Sequence, residues 1–457
     1  MNAKLGITAP TGRNKPAQGK ERSDAALGHK SQNTPSPEGA KESDVLPSGW
    51  EWKSVGEMVD EMQYGTSAKT SEDATGVPVL RMGNIKDGSL VLDTLKYLPA
   101  EHGEFPALLL HDGDLLFNRT NSAELVGKSA IYRGNPSPCS CASYLIRARL
   151  RHSYVPEFLA YYINSTFGRA WVNSVVSQQV GQANVNGTKL KALSVPVPPL
   201  PEQRRIVAEI EKQFTRLEAG VAALRRVQAN LKRYRAAVLK AACEGRLVPT
   251  GAEWPQKEIA AAIQTMDQGW SPKCESAPSN SNATWAVIKT TAIQNLRFLE
   301  DENKTLPAPL KPRAHLELMP GDLLVTRAGP HSRVGVACLV KSTRPRLMLC
   351  DKAYRLRCKP DVVYPAFLEL VLNAPHILDE VNKLKTGISD SGVNLTQKRF
   401  GELLIPLPPL GEQPRIVAEV ERRLSVVEEL EAVVSANLQR ATRLRQSILQ
   451  KAFTGRL

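Results

Sequence analysis

Twice, 210 residues apart, the chain writes a proline turn followed at once by the start of a long helix: PVPPLPEQRRIVAEI at 196–210 and PLPPLGEQPRIVAEV at 406–420. A phrase of this length does not recur by accident, so the polypeptide is read as two copies of one fold. The match extends well beyond the prolines. LPSGWEW (46–52) returns as VPTGAEW (248–254), an offset of 202, and PVLRMGNI (78–85) returns as AVIKTTAI (286–293), an offset of 208. GDLLFNRT (113–120) returns as GDLLVTRA (321–328), still at 208, and the terminal GRL stands at 245–247 and 455–457. Small drifts of this kind are what loop insertions produce.

Each copy has two parts. Short apolar runs such as ALLL, DLLF and SAIY, broken by Gly, Pro, Asn and Asp, predict a strand-rich α/β (α+β) domain over 46–200 and again over 248–410. The prolines then stop and a helical period begins over 201–247 and 411–457, segments of 47 residues each. Apolar residues recur at steps of three and four: Ile206, Ile210, Phe214, Leu217, Val221, Leu224 and Leu231 in the first, Ile416, Val420, Leu424, Val427, Leu430, Val434, Ala441, Leu444 and Ile448 in the second. This is a seam narrow enough for helix against helix. Pro201 and Gly411 mark the expected starts, with Glu202 and Glu412 in the first turns, and Gly245 and Gly455 mark the ends. About 40 helical residues make a rod of roughly 60 Å. The expected architecture is two similar domains separated by the two helices, packed as an antiparallel coiled coil with pseudo-twofold symmetry. Residues 1–45, polar and rich in Pro, Gly, Ser and Lys, read as a disordered extension.

A formal charge of +14 favours a polyanionic partner. Seven unevenly spaced cysteines and the absence of an apolar signal core point to a reducing cytoplasm. Cys139 and Cys141 form a lone CxC without a second pair, so no metal site is expected. No apolar run approaches the roughly 18 residues that a bilayer span needs.

Two globular halves, each ending in P-x-P-P-L-x-E-Q and a long helix closing on GRL, resemble the specificity subunit of type I restriction-modification systems. The likeness covers nearly everything from 46 to 457; the extension of 45 residues departs from it. The resemblance implies two target recognition domains, each reading one half of a bipartite asymmetric site on double-stranded DNA. It also implies that the paired helices set the gap and dock two methyltransferase subunits, with Ile206, Ile210, Leu217, Val221, Leu224, Leu231, Val420, Leu424, Val427, Val434, Leu444 and Ile448 carrying the helix contacts. S-adenosylmethionine, ATP and Mg2+ are expected in the methyltransferase and endonuclease/translocase partners and none in this chain. A freestanding bipartite DNA-binding regulator and a coiled-coil scaffold are the alternatives.

Base reading uses Arg, Lys, Asn and Gln near a groove. Arg119 and Arg327 occupy the same repeat position at a strand end, where each is either a DNA contact or a loop-fixing ion pair. Asn118, Asn121, His331 and Ser332 lie on the same loops. Lys69 in GTSAK and Lys273 in GWSPK are expected to face phosphate, and Gln179 and Gln182 in QQVGQAN, matched by KTGISDSG (385–392), form a third pair of loops. The basic run Arg204, Arg205, Arg225, Arg226, Lys232, Arg233 and Arg235 reads as a solvated face or as a surface for DNA or an acidic partner.

Enzymatic signatures are wanting. VGKS (126–129) lacks the earlier glycine of a phosphate loop, Ser122 standing there, and its repeat partner is VGVA. No N-P-P-Y or D-P-P-Y segment, carboxylate cluster or metal spacing is visible, so the chain is read as non-catalytic.

Overall fold

The computed structural model describes residues 46–179, 182–248, 254–387 and 392–457. The expected disordered extension, 1–45, lies outside them. The chain divides into two compact units, one ending at Pro199 and one running from Leu200 to Leu457, so the second contains both long helices. The class is α+β.

The first unit is built on a four-stranded antiparallel sheet in the spatial order Val59–Tyr64, Leu145–Leu150, Leu115–Asn118, Ser129–Ile131. The second unit repeats it as Ile263–Gln268, Ala353–Cys358, Leu323–Thr326, Ala337–Leu339. A three-stranded sheet also recurs. Val77–Leu80 lies between Ser140–Cys141, parallel, and Lys96–Leu98, antiparallel, as Ala286–Ile288 lies between Leu347–Met348 and Asn303–Thr305. In both units the G-D-L-L strand is buried along its length and helices cover the sheet.

The repeat glycines have steric reasons. Gly127 and Gly335 have φ of 83° and 93°, and a Cβ at either would stand 2.5 Å from Val172 Cγ2 or 2.6 Å from Val381 Cγ1. Only glycine tolerates both demands. One alignment from the sequence needs correction. The offset of 202 matches Trp52 with Trp254, but the structural partner of Trp254 is Trp50. Trp50 lies edge-on to Phe158 at 6.4 Å and Trp254 edge-on to Phe367 at 6.3 Å, whereas Trp52 is 56% exposed.

In the second unit the helices Leu200–Cys243 and Gln413–Phe453 pack along each other. Arg235 meets Glu431 at 3.2 Å, Arg445 meets Glu218 at 3.0 Å, and Arg205 reaches the carbonyl of Leu457 at 3.1 Å. Rising numbers on one helix meet falling numbers on the other, so the two run in opposite directions. Leu231, Val427 and Val434 form the middle of the seam, with Leu224 against them. Ile206, Ile210, Val420, Leu424 and Ile448 are buried, and Leu217 and Val221 are half-buried.

Two of the expected seam residues differ from expectation: Leu430 is 45% exposed, and Leu444 is 49% exposed. The place of Leu444 is taken by Arg445, stacked 4.0 Å over the Phe214 ring. One residue along a helix is a rotation of about 100°, enough to turn Leu444 outward.

The second helix begins at Gln413 rather than Gly411, because Leu410–Glu412 still belong to the turn. Gln413 explains the recurring E-Q. Fully buried, it accepts from the Tyr364 amide at 2.7 Å and donates to the carbonyls of Val362 and Pro408 at 3.1 and 3.0 Å. The side chain thus ties the proline turn to the loop before the covering helix Pro365–Leu372. Gly245 and Gly455, at φ 67° and 69°, follow the helix ends as expected.

Candidate nucleic-acid interface

In the first unit Arg119 follows the last residue of the strand Leu115–Asn118. Its amide donates to the Tyr144 carbonyl at 3.0 Å and its carbonyl accepts from Val185 at 2.9 Å, so the backbone is held from two sides. The guanidinium lies 4.7 Å above the Tyr64 ring, and its Nη1 reaches the Ser143 carbonyl at 3.4 Å. Tyr64 is 43% exposed, so this cation and its aromatic support reach the surface together.

Beside them opens a cleft of about 930 Å³, lined among others by Thr66, Arg81, Met82, Lys86, Asn118, Asn121, Lys128 and Tyr144. Three cations with an exposed tyrosine suit a polyanion carrying stacked rings. Asn118 and Asn121 line this cleft but also serve the loop itself. Asn118, buried, donates to the Leu125 carbonyl at 3.1 Å, and Asn121 accepts from the Ser122 amide at 2.8 Å. Lys69 is exposed on the loop that forms one wall, without lining the cleft. Gln179 and Gln182 are register partners in a hairpin whose second strand, Gln182–Asn184, pairs with Thr120–Asn121. The hairpin therefore adjoins the Arg119 loop; residues 180 and 181, between its strands, lie outside the described residues.

Sequence reasoning missed Arg81, Lys86 and Tyr144. A basic residue stands at 81 and at its repeat partner 289, a signal that was available; Tyr144 has none, because its counterpart is Lys352.

In the second unit Arg327 keeps the same backbone bonds, to the Lys352 carbonyl and from the Leu395 amide, at 2.9 and 2.8 Å. Its ring partner comes from the other strand. Tyr64 is paired in register with Ile146, while Tyr354, at the Ile146 position, is paired with Gln268. Arg327 lies 5.6 Å over Tyr354, which is 2% exposed, gives its hydroxyl proton to the Leu395 carbonyl and stacks on Phe400. Arg327 is thus seated on the core, where Arg119 is seated on a surface ring. His331 and Ser332 are exposed, the His331 carbonyl accepting from Lys385 at 2.7 Å, and Lys273 is exposed. Of KTGISDSG, residues 388–391 lie outside the described residues; Thr386 bonds Asn394, next to the strand pair Ala328–Gly329 and Val393–Asn394.

Of the basic run on the first helix, Arg205 pairs with Glu202 and Arg235 with Glu428 and Glu431, while Arg204, Arg225, Arg226, Lys232 and Arg233 are exposed. Ser129 of VGKS begins a strand, where a phosphate loop would begin a helix. Burial pushes the thiols of Cys139 and Cys141 up to about 12, and no group of metal-binding side chains occurs among the described residues. No described helix is long and apolar enough to cross a membrane.

Residues 47–223 match the family described as the type I restriction modification DNA specificity domain. The chain is 37% identical over 206 residues to the type I restriction enzyme EcoEI specificity subunit of Escherichia coli, a match covering 45% of this chain and 34%, about a third, of that protein. It is 28% identical over 401 residues to the EcoKI specificity subunit of Escherichia coli strain K12, covering 83% and 82% of the two chains. With the StySPI specificity subunit of Salmonella potsdam it shares 26% over 429 residues, 90% of each. Two solved structures share the fold. One is a chain from a study of complex assembly and conformational transition of the type I R-M system, with TM-score 0.69, 21% identity and coverage of 90% and 100%. The other is the HsdS subunit from Thermoanaerobacter tengcongensis, with TM-score 0.51, 21% identity and coverage of 90% and 98%. Residues 47–223 thus match the type I restriction modification DNA specificity domain, and most of the chain is similar in sequence to type I restriction enzyme specificity subunits.

Proposed function

We propose that this chain gives a type I modification complex its DNA target, each strand-rich unit reading one half of a bipartite, asymmetric duplex site. The observation that carries the reading is the repetition of both sheets, strand for strand, with different side chains at the loop tips. Equal scaffolds with unequal tips address similar grooves and different bases. The two helices of 44 and 41 residues act as the ruler. Their length of about 60 Å suits half-sites one or two DNA turns apart, a turn being about 34 Å.

The same helices dock two methyltransferase subunits. Val426, Leu430 and Val433 are 45–51% exposed along one face of the C-terminal helix, and Val227 and Tyr234 are 42% and 45% exposed on the central one. Apolar side chains left in water at the middle of a helix pair suit a protein partner. S-adenosylmethionine is bound by those partners, and ATP with Mg2+ by an endonuclease/translocase subunit where one joins; the assembly is cytoplasmic.

The test is base-resolution mapping of methylated adenines in a methylation-free host that expresses the neighbouring methyltransferase with and without this chain. The expected result is a two-part asymmetric motif with a constant gap, present only with the chain. No motif, with both proteins soluble and associated, would overturn the reading in favour of a scaffold. Tight binding of a bipartite site by the chain alone, without methylation, would favour a regulator.

A further inference from the structure

In each unit a buried arginine clamps the loop before the G-D-L-L strand. Arg147 donates to the carbonyls of Ala107 and Leu109 at 3.1 and 3.0 Å; Arg355 donates to those of His315 and Glu317 at 3.0 and 2.9 Å. Both arginines are 3% exposed, and the leucines between the clamped carbonyls, Leu108 and Leu316, are buried. All these positions correspond at the repeat offset of 208, so this is one device built twice.

A second loop is pinned equally in both copies. A Cβ on Gly65 would stand 2.1 Å from the Cys141 carbonyl oxygen, and one on Gly269 would stand 2.2 Å from that of Cys350. The next residue bonds the same strand end, Thr66 to the Cys141 carbonyl at 2.8 Å and Trp270 to the Leu349 carbonyl at 3.0 Å.

The two pinned loops touch in both units, with different chemistry at the contact. In the first, the Thr66 hydroxyl donates to Glu104. In the second, the Arg313 guanidinium lies 4.5 Å over the Trp270 ring. Trp270 in turn packs on a buried cluster that includes Ala286, Leu347 and Leu349, so the ring is a fixed wall. Arg313 is exposed, and among the described residues no carboxylate or carbonyl takes its side-chain donors. A rigid scaffold that changes only its tips from a carboxylate to a stacked cation has the form of a reading position.

We propose that Arg313, held over the Trp270 ring, reads a guanine edge in the half-site addressed by the second unit, an assignment that rests on the DNA-reading function above. A guanidinium matches O6 and N7 of guanine in two parallel hydrogen bonds, and stacking removes much of the side-chain freedom that such a match would otherwise have to freeze. A phosphate contact needs charge and no fixed plane, which is the role left to exposed Lys273 on the Trp270 loop.

The experiment repeats the adenine mapping with Arg313→Ala, Arg313→Lys and Trp270→Ala, and compares thermal unfolding of the variant chains. Arg313→Ala is expected to lower discrimination at one G·C pair of one half-site by at least about tenfold, with the other half-site and the gap unchanged. Arg313→Lys, which keeps the charge and loses the fork, leaves that pair degenerate, and Trp270→Ala relaxes the same pair. Even weakening across the motif, rescued by lysine, would make Arg313 a phosphate contact and overturn the assignment. So would an unchanged motif, or relaxation at an A·T pair. A wild-type chain that yields no motif would overturn the DNA-reading function itself, whereas a wild-type motif insensitive to Arg313 would sink this inference alone.

Discussion

Asp114 and Arg149 meet in a two-point ion pair, Oδ1 to Nε at 2.9 Å and Oδ2 to Nη2 at 3.0 Å, and Asp114 Oδ2 also accepts from the His111 amide at 2.8 Å. Asp322 repeats the arrangement with Arg357 at 2.9 Å and the Met319 amide at 2.9 Å. The aspartate of G-D-L-L thus holds the turn before the strand, which accounts for its recurrence. Both aspartates are almost fully buried, so Asp114→Ala strips a partner from a charge and from an amide. Because Arg149 is about a third exposed, the expected loss is about 2–3 kcal/mol rather than the full cost of a stranded charge. Urea unfolding of the chain would read it, and a change below about 0.5 kcal/mol would contradict this role.

Much of this fold was legible in the sequence, for reasons that differ by element. The helices announced themselves because a seam needs a period, and the period survives even where Arg445 substitutes for an apolar residue. The exact start at Gln413 was hidden, since it depends on a side chain reaching carbonyls on another loop. Sheet order was hidden too, as the parallel pairing of Ser140 with Val79 joins segments far apart in the chain. The repeat brought Arg119 and Arg327 to notice, but their seats could not be read without the cross-strand register that places Tyr64 beside Ile146 and Tyr354 beside Gln268. The Arg313–Trp270 contact escaped for a similar reason, because the two loops are 43 residues apart and share no pattern.

Arg119 and Arg327 should therefore behave differently when truncated. Arg119 rests on an exposed ring, so Arg119→Ala is expected to leave stability within about 1 kcal/mol and to weaken one half-site only. Arg327 covers the buried Tyr354, and Arg327→Ala should cost about 1–2 kcal/mol in addition to any effect on DNA. Chemical denaturation and methylation mapping of both variants separate the two. Equal loss of both half-sites with Arg119→Ala would mark that residue as structural.

Gln413→Leu tests the turn. The substitution keeps the volume but leaves the Tyr364 amide and two carbonyls without their partner, an expected cost of about 2–4 kcal/mol. Proteolysis should then open the chain near 406–413 before other sites, and cleavage there no faster than in the wild type would count against the role.

Glu369 supplies a pH dependence of defined sign. The side chain is 5% exposed, and burial raises its pKa above 4.5, although the Leu339 amide at 2.7 Å and Lys341 pull the other way. A carboxyl harder to ionise in the folded than in the unfolded chain costs nothing while both forms are protonated. It destabilises the fold as pH rises from 4.5 through the raised value, and the penalty stays constant above it. Glu369→Gln preserves an acceptor for Leu339 and removes the charge, so it should stabilise the chain at pH 7 and leave it nearly unchanged at pH 4. Unfolding midpoints at the two pH values decide the matter. A variant less stable than the wild type at pH 7 would show that the charge, through Lys341, contributes more than its burial costs.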